Sequence, residues 1–339
     1  GMASVALMSW DLYLKPSRGS PAAFLGGLRH ALRRTQHVTD MGGGQFEYLN
    51  DETGVYFGLD ITEPAEDADA PTEEQDEDED DDSLAVVTIN YARPSPFGRE
   101  AARVLSEIAR DLPLLVRDDQ QDGTWQTFDA ATMADSYRHA NLAASRALAR
   151  HMAETADTAA IGHPVPRALL DYAWEWNSAR ADRDARRKTE GRNLWVPKYE
   201  FIRIGGQVFS FVFWFDGVAT LFPRTDLVGI HRNKYQLKSP GLFGRKRPSL
   251  AFVPRTTIQP ILDATYQPDT MVPDALSPIE DGGAAGQDQF LARGLGQDAV
   301  AEIVYMDNDD YRRRDPKPWH RLRFDQLGDA EAVRDAPDS

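Results

Sequence analysis

The sequence predicts an α+β protein of two domains. The length of 339 residues exceeds the usual size of a single domain, 41% of the residues are hydrophobic, and strand-like and helix-like runs occur in both halves of the chain. We predict an N-terminal α/β sandwich related to the ferredoxin-like plan. The C-terminal domain is predicted to be an antiparallel or mixed sheet with helices.

The first half of the chain predicts the element order β-α-β-β-β-α-β. Apolar residues alternate in SWDLYL, as in a half-buried strand, and Ser20 with Pro21 supplies the N-cap and first turn of a helix. The turn-forming residues of NDETG predict a hairpin. The remaining predicted elements are the hairpin strands QFEYL and VYFGLDI, the strand LAVVTINY, a helix over 97–112, and the strands LLV and WQTF.

A domain boundary is predicted at IGHPVP, which follows a predicted helix over 132–154. This boundary divides the chain into domains 2–158 and 159–324, with 325–339 left as an acidic tail. In the second domain, we expect a helix from Pro166 to about Lys188.

Strands and turns dominate the rest of the second domain. Gly205-Gly206 predicts a hairpin between YEFIRI and QVFSFVFWF, and Asp216-Gly217 predicts a second hairpin that leads into VATLF. The alternating phenylalanines of FSFVFWF favour a central strand buried on both faces. Further expectations are the strands LVGIH, SLAFV and AEIVYM, a helix over 256–264 and a loop over 267–288. FPRTDL and VPRTTI echo each other but are too short to define a repeat.

Acidic residues are concentrated in two segments. Residues 63–82 contain 13 acidic and no basic residues, and 325–339 contain five acidic residues and one arginine. The net charge of the whole chain is −16, so the remainder carries +1. We expect 63–82 to be a solvated, disordered insertion. It is alternatively a tethered polyanion for a basic partner or a diffuse site for divalent cations.

Several familiar chemistries are missing from the sequence. The chain has no cysteine, which excludes disulfides, thiolate nucleophiles and cysteine-bound zinc, and it contains no HExxH, GxSxG, GxGxxG or phosphate-loop motif. His139, His151, Glu154 and His163 form the one grouping with any metal-ligand logic, because His151 and Glu154 lie three residues apart on a helix. We therefore predict no metal and no cofactor.

The helix over 176–188 carries the predicted binding residues. Arg180, Arg183 and Arg187 follow one stripe, and Trp176 lies one turn before Arg180. Interleaved aspartates at i,i+4 spacing also fit a solvated, salt-bridged helix. The functional alternative is a contact surface for an anion or phosphate. Nucleic acid is disfavoured, because residues 155–324 contain 24 basic and 21 acidic residues, a balance of only +3.

These observations favour a non-enzymatic binding protein that engages a protein partner, with a basic protein as one candidate. The alternative is a hydrolase or transferase with a carboxylate and histidine site in an interdomain cleft. No apolar stretch reaches the length of a membrane span, and the N-terminus lacks a signal-peptide pattern, so we expect no membrane partner and a cytoplasmic location.

Overall fold

A computed structural model describes residues 9–62, 83–155, 162–191, 194–215, 218–232, 249–279, 304–305 and 319–332. Within these ranges the protein combines helices with several, mostly antiparallel, sheets, so the predicted α+β class is confirmed. The predicted acidic insertion 63–82 lies outside the described residues. The chain divides into two compact units: unit 1 comprises 1–171 and 324–339, and unit 2 comprises 172–323.

Unit 1 is built on a seven-stranded sheet. Its strands and helices are β1 (Ser9–Pro16), α1 (Pro21–Arg34), β2 (Val38–Gly42), β3 (Gln45–Asn50), β4 (Val55–Ile61), β5 (Ala85–Asn90), α2 (Pro96–Ala109), β6 (Leu114–Arg117), β7 (Gln126–Thr127) and α3 (Ala130–Thr155). The strand order is β2-β3-β4-β5-β1-β6-β7, and all neighbouring strands pair antiparallel. β8 (His163–Val165) and the start of α4 (Arg167–Ser178) complete the first stretch of the unit.

The hydrophobic pattern of the strands explains how this sheet packs. Alternate residues of β1, β3, β4 and β5 are buried, and their neighbours are more exposed. The helices cover the buried face: the ring of Trp10 on β1 lies 5.7 Å from that of Tyr137 on α3, and Tyr48 on β3 bonds to Glu100 on α2. Ser20 caps α1 as predicted, because its hydroxyl accepts from the amide of Ala23.

The C-terminal segment differs from the predicted acidic tail. Residues 324–326 and 330–332 form short 3₁₀ turns on either side of β17 (Leu327–Asp329), which pairs parallel with β8. Leu327 is fully buried and Asp329 is 6% exposed. Residues 325–332 are therefore part of unit 1, because burial of Leu327 and the ladder to β8 attach them to it.

Unit 2 contains a six-stranded sheet. Its elements in chain order are the rest of α4, α5 (Arg180–Thr189), β9 (Glu200–Ile204), β10 (Gln207–Phe215), β11 (Leu227–Arg232), β12 (Ser249–Pro254), α6 (Arg255–Thr265), β13 (Tyr266–Pro268), β14 (Leu276–Pro278), β15 (Val304–Tyr305) and β16 (Trp319–Leu322). The strand order is β15-β12-β11-β10-β9-β16. β10 and β11 are parallel, the other neighbours are antiparallel, and β13 and β14 form a separate pair.

Three details of unit 2 differ from the sequence prediction. The helix expected from Pro166 to Lys188 is divided at Ala179, whose backbone is not helical. The hairpin expected after Asp216-Gly217 is wrong, because residues 218–222 contain only isolated bridges and β10 pairs with the parallel strand β11. β10 is buried on both faces at its centre, where Phe211 belongs to a hydrophobic cluster with Ile202 and Phe252, but the predicted burial does not extend to Phe215, which is 37% exposed.

Among the residues that the structure describes, no helix has the length and apolar character needed to cross a bilayer.

Candidate functional site

The two echoing Pro-Arg-Thr sequences meet at one edge of the unit 2 sheet. Antiparallel pairing places Leu227, at the start of β11, opposite Pro254, at the end of β12. The backbone amide of Arg255 donates to the carbonyl of Asp226 at 2.9 Å, and the Arg255 guanidinium donates to the carbonyl of Pro223. Arg224 and Arg255 are therefore brought together by the pairing of two strands, although 30 residues separate them in the chain.

Tyr172 on α4 lies at the centre of this group. Its hydroxyl accepts from the backbone amide of Arg224 at 3.2 Å, and the Arg224 guanidinium lies 5.5 Å from the centre of its ring. The ring of Tyr199 meets that of Tyr172 edge to face at 5.5 Å, and its hydroxyl donates to the carbonyl of Arg224 at 2.9 Å. Burial raises the pKa of both tyrosines, so both hydroxyls keep their protons at neutral pH.

Arg183 on α5 approaches Tyr172 from the side of Trp176. Its guanidinium lies 4.7 Å from the Trp176 ring centre and donates to the Trp176 carbonyl at 3.1 Å. The rings of Trp176 and Tyr172 are 6.4 Å apart. Burial, followed by the nearby positive charge of Arg187, lowers the pKa of Arg183. Burial also lowers the pKa of Arg255. Both remain charged at neutral pH, because an arginine titrates far above it.

Arg187, one turn further along α5, forms a buried ion pair. Its Nη2 lies 2.9 Å from Oδ2 of Asp269, and each side chain is 1% exposed. Burial opposes ionisation of Asp269, but the bond from Arg187 and those from the amides of Met271 and Val272 outweigh it, so the pKa is lowered. Nε and Nη1 of Arg187 have no hydrogen-bond partner in the described part of the chain. The Asp269 carboxylate therefore accepts from one nitrogen of the Arg187 guanidinium, Nη2.

The arginine cluster, defined as Arg183, Arg187, Arg224 and Arg255, therefore has an excess of positive charge. Within the described part of the chain, Asp269 is the carboxylate that pairs with a member of it, and Arg183, Arg224 and Arg255 contact carbonyls, an amide oxygen or aromatic rings instead. Asp226 accepts from the amide and hydroxyl of Ser210 at 2.8 and 2.7 Å. Spare guanidinium donors beside a protonated tyrosine can bind an anion.

The predicted binding residues occupy different environments. Trp176 and Arg187 are buried, at 2% and 1% exposure, and Trp176 Nε1 donates to the carbonyl of Pro197 at 2.7 Å. Arg180 donates to the carbonyl of Val196 at 3.4 Å. Arg183 is part of the arginine cluster. The four residues thus do not form the continuous exposed stripe that the helical spacing indicated, because Trp176 and Arg187 point into unit 2.

Tyr172, Tyr199, Arg224 and Arg255 were not among the predicted binding residues. The sequence contained one signal for two of them, the repeated Pro-Arg-Thr of FPRTDL and VPRTTI. This signal could be interpreted only once the pairing of β11 with β12 was known, because the two sequences flank these adjacent antiparallel strands. No local pattern signals that Tyr172 and Tyr199 meet, because they belong to a helix and to the loop before β9.

Unit 1 contains a cavity of about 970 Å³ beside α3. The hydroxyl of Tyr91 bonds to Gln120, and burial raises its pKa to about 12. Ser136 bonds to Asp118, which also accepts from Trp10 Nε1 at 3.1 Å. The cavity is also lined by alanines of α3, namely Ala140, Ala143, Ala144 and Ala147. The polar groups at this cavity therefore bond largely to one another.

The histidines named as metal candidates do not form a metal centre with described residues. Nδ1 of His139 lies 2.8 Å from the Asp135 carbonyl, and its Nε2 lies 3.3 Å from an Arg138 nitrogen. The side chain of Glu154 lies outside the described residues. Across the described ranges, no group of three or more histidine, aspartate or glutamate residues is arranged to hold a metal ion.

Comparison with known proteins does not identify either site. No protein-family model, curated protein or solved structure matches the chain. The geometry and charge of the arginine cluster are therefore the basis for a functional conclusion.

Proposed function

We propose that this is a non-enzymatic binding protein whose arginine cluster recognises an anionic group on a protein partner. The observation that carries this proposal is that Arg183, Arg224 and Arg255 lie near Tyr172 and, among the described residues, none of them forms an ion pair with a carboxylate, although Glu175, Asp263 and Asp269 are close enough to act on the cluster electrostatically. A guanidinium keeps its charge at neutral pH, and guanidinium groups that are not paired with a carboxylate have donors that an external anion can engage.

A phosphoryl group fits the cluster better than a carboxylate. It carries close to two negative charges and three acceptor oxygens, whereas a carboxylate carries one charge and two oxygens. Three arginines offer more charge and more donors than one carboxylate can use. The hydroxyl of Tyr172 adds another donor, since no described residue accepts its proton.

A protein is the favoured carrier of this group. Nucleic-acid domains present basic residues over an extended surface, whereas residues 155–324 have a charge balance of only +3. Two of the cluster arginines, Arg183 and Arg255, are half-buried, and Arg224 is exposed. This arrangement favours insertion of one anionic group over contact with a long phosphate backbone.

Calorimetric titration with inorganic phosphate tests the proposal, with acetate at matched ionic strength as the comparison. We expect phosphate to bind and acetate to bind more weakly. Arg224→Ala and Arg183→Ala should each weaken phosphate binding by about tenfold or more, because hydrogen bonds to charged groups contribute about 1.5–3 kcal/mol. A double-stranded oligonucleotide titrated in parallel tests whether the arginine cluster binds nucleic acid instead of an anionic group on a protein.

Arg186→Ala is the matched control, because Arg186 lies on the same helix as Arg183 but is exposed and paired with Glu190 at 3.3 Å. It should leave phosphate binding unchanged. Absence of phosphate binding at millimolar concentration, or equal losses in all three variants, contradicts the proposal. Tighter binding of the oligonucleotide than of phosphate, lost in Arg224→Ala, rejects the protein partner in favour of nucleic acid.

The enzyme alternative has less support. A hydrolase or transferase needs a histidine or carboxylate able to exchange a proton with a substrate. Both ring nitrogens of His139 lie near polar atoms of α3, and Asp118 is occupied by Ser136 and Trp10. No described contact therefore favours a particular acid or base.

Several finer predictions accompany this function. We propose that the two units are separate domains and that unit 1 is an extended variant of the ferredoxin-like plan, supported by the position of β1 between β5 and β6, antiparallel to both. A cytoplasmic location, the absence of a cofactor, and a basic partner for the acidic segment 63–82 stay predictions. That segment lies outside the described residues.

A further inference from the structure

The C-terminal segment of unit 1, residues 324–332, is held by contacts with distant parts of the chain. The ring of Phe324 stacks parallel to that of Phe97, at 6.4 Å, and β17 pairs with β8. The Ser95 hydroxyl donates to Oδ2 of Asp329 at 2.5 Å, and the Ser95 amide lies 3.5 Å from Oδ1. Ser95 immediately precedes α2, so Asp329 joins the segment to the start of that helix.

Asp329 is a buried carboxylate without a cationic partner among the described residues. It is 6% exposed, and within the described residues its hydrogen bonds come from Ser95 alone. Burial raises its pKa, the bonds from Ser95 oppose this, and the nearby charges of Glu331 and Asp171 raise it further. The ionised form is therefore disfavoured inside unit 1 relative to water.

The charged and titratable groups around Asp329 come from several elements. Arg99 on α2 pairs with Asp171 on α4 at 3.1 Å, so its charge is partly compensated. Arg93 and Arg146 donate to backbone carbonyls of the segment itself, at Asp325 and Glu331. The other groups near the segment are Tyr137 on α3, Arg167 on α4, His163 on β8, and Asp325 and Glu331 of the segment.

We propose that buried Asp329, at its contact with Ser95, is a proton-sensitive latch that controls attachment of residues 324–332 to unit 1. With Asp329 protonated, the buried pair is neutral and the segment is held. When Asp329 ionises, an unpaired charge is buried next to two other carboxylates, and the segment opens more readily. This inference concerns unit 1 and does not depend on the arginine cluster.

The direction of the pH effect follows from linkage. Because attachment raises the pKa of Asp329, the segment and the proton stabilise each other. The contribution of Asp329 to the free energy of attachment is fully present below its unperturbed pKa of 3.8. It is lost as the pH rises through the higher pKa that Asp329 has in the attached state. Mildly acidic conditions should close the latch and neutral conditions should loosen it.

Amide hydrogen exchange of residues 327–329 in the full chain tests this inference. After correction for intrinsic exchange, the opening constant should rise as the pH is raised above 3.8 and level off above the attached-state pKa of Asp329, by about tenfold for each unit by which that pKa exceeds 3.8. Asp329→Asn should abolish this dependence, because the amide cannot ionise. Asp325→Asn, which removes a charge from the same segment, should retain it and thus separates Asp329 from other groups such as His163.

Ser95→Ala provides an independent variant. It removes the donor that stabilises the ionised carboxylate, so the opening constant should increase more at neutral than at acidic pH. An opening constant in the wild type that is independent of pH overturns the inference. So does an unchanged pH dependence in Asp329→Asn, or an equal effect of Ser95→Ala at both pH values.

Discussion

Each unit buries a charged side chain that is incompletely paired among the described residues, a carboxylate in unit 1 and a guanidinium in unit 2, and the difference between them determines what each can respond to. Asp329 in unit 1 is 6% exposed and has no cationic partner among the described residues. Arg187 in unit 2 is 1% exposed and has one carboxylate partner, Asp269, beside the further arginines of the cluster. A carboxylate can lose its charge by binding a proton, whereas a guanidinium cannot. We therefore infer that pH acts on unit 1 and anions act on unit 2.

The largest expected effect comes from removal of the C-terminal segment. Truncation after Arg323 deletes the fully buried Leu327 together with the Asp329 latch. Loss of one buried leucine side chain alone costs about 2–5 kcal/mol, so unit 1 should lose at least about 2 kcal/mol of stability. Hydrogen exchange measured by mass spectrometry should report faster exchange in α2 and α3, which contact the segment, while peptides of unit 2 keep their protection.

Truncation after Ala332 is the control for this experiment, because it removes 333–339 and leaves the described segment intact. It should have no effect on either unit. Equal loss of protection in units 1 and 2 after truncation at Arg323 would contradict the proposal that they are separate domains. Unchanged protection in unit 1 would show that residues 324–332 do not contribute to its core.

The second effect concerns the buried ion pair of unit 2. Asp269→Ala leaves the Arg187 guanidinium buried without a counter-ion, which should destabilise unit 2 by about 3–5 kcal/mol in urea unfolding. Glu190→Ala breaks an exposed pair with Arg186 and should cost at most about 1 kcal/mol. Adding Arg187→Met to Asp269→Ala should restore part of the loss, because the unpaired charge is then gone. If Asp269→Ala lowers the free energy of unfolding by no more than Glu190→Ala does, Asp269 does not compensate a buried Arg187 guanidinium.

The local elements were largely predictable from the sequence because their signals are local. Alternation of apolar residues in SWDLYL and the Ser20-Pro21 cap led directly to β1 and α1. β17 was missed because it pairs with β8, about 160 residues earlier, and no nearby residue signals that contact. Its acidic residues suggested a solvated tail, whereas Asp329 is buried by the fold.

The candidate site was predicted only in part for a similar reason. Arg183 was found on the stripe of α5, but the same spacing suggested an exposed Arg187, which Asp269 holds in the interior. An arginine run on a helix is usually solvated, and only tertiary packing reveals the exception. Arg224 and Arg255 required the register of β11 and β12.

Arg224→Ala should have the smallest effect on stability. This variant tests whether Arg224 binds a ligand or only supports the fold. Arg224 is exposed and lies over Tyr172, an interaction that contributes about 0.5–1 kcal/mol at exposed sites. Loss of this contact is offset by relief of repulsion from Arg255, so the stability without phosphate should change by less than about 1 kcal/mol. A ligand that binds only the folded state stabilises it in proportion to the logarithm of its concentration. Phosphate should therefore raise the unfolding midpoint of unit 2 in the wild type and in Arg186→Ala, but not in Arg224→Ala. An equal rise in all three proteins would mean that phosphate acts as a general stabilising salt.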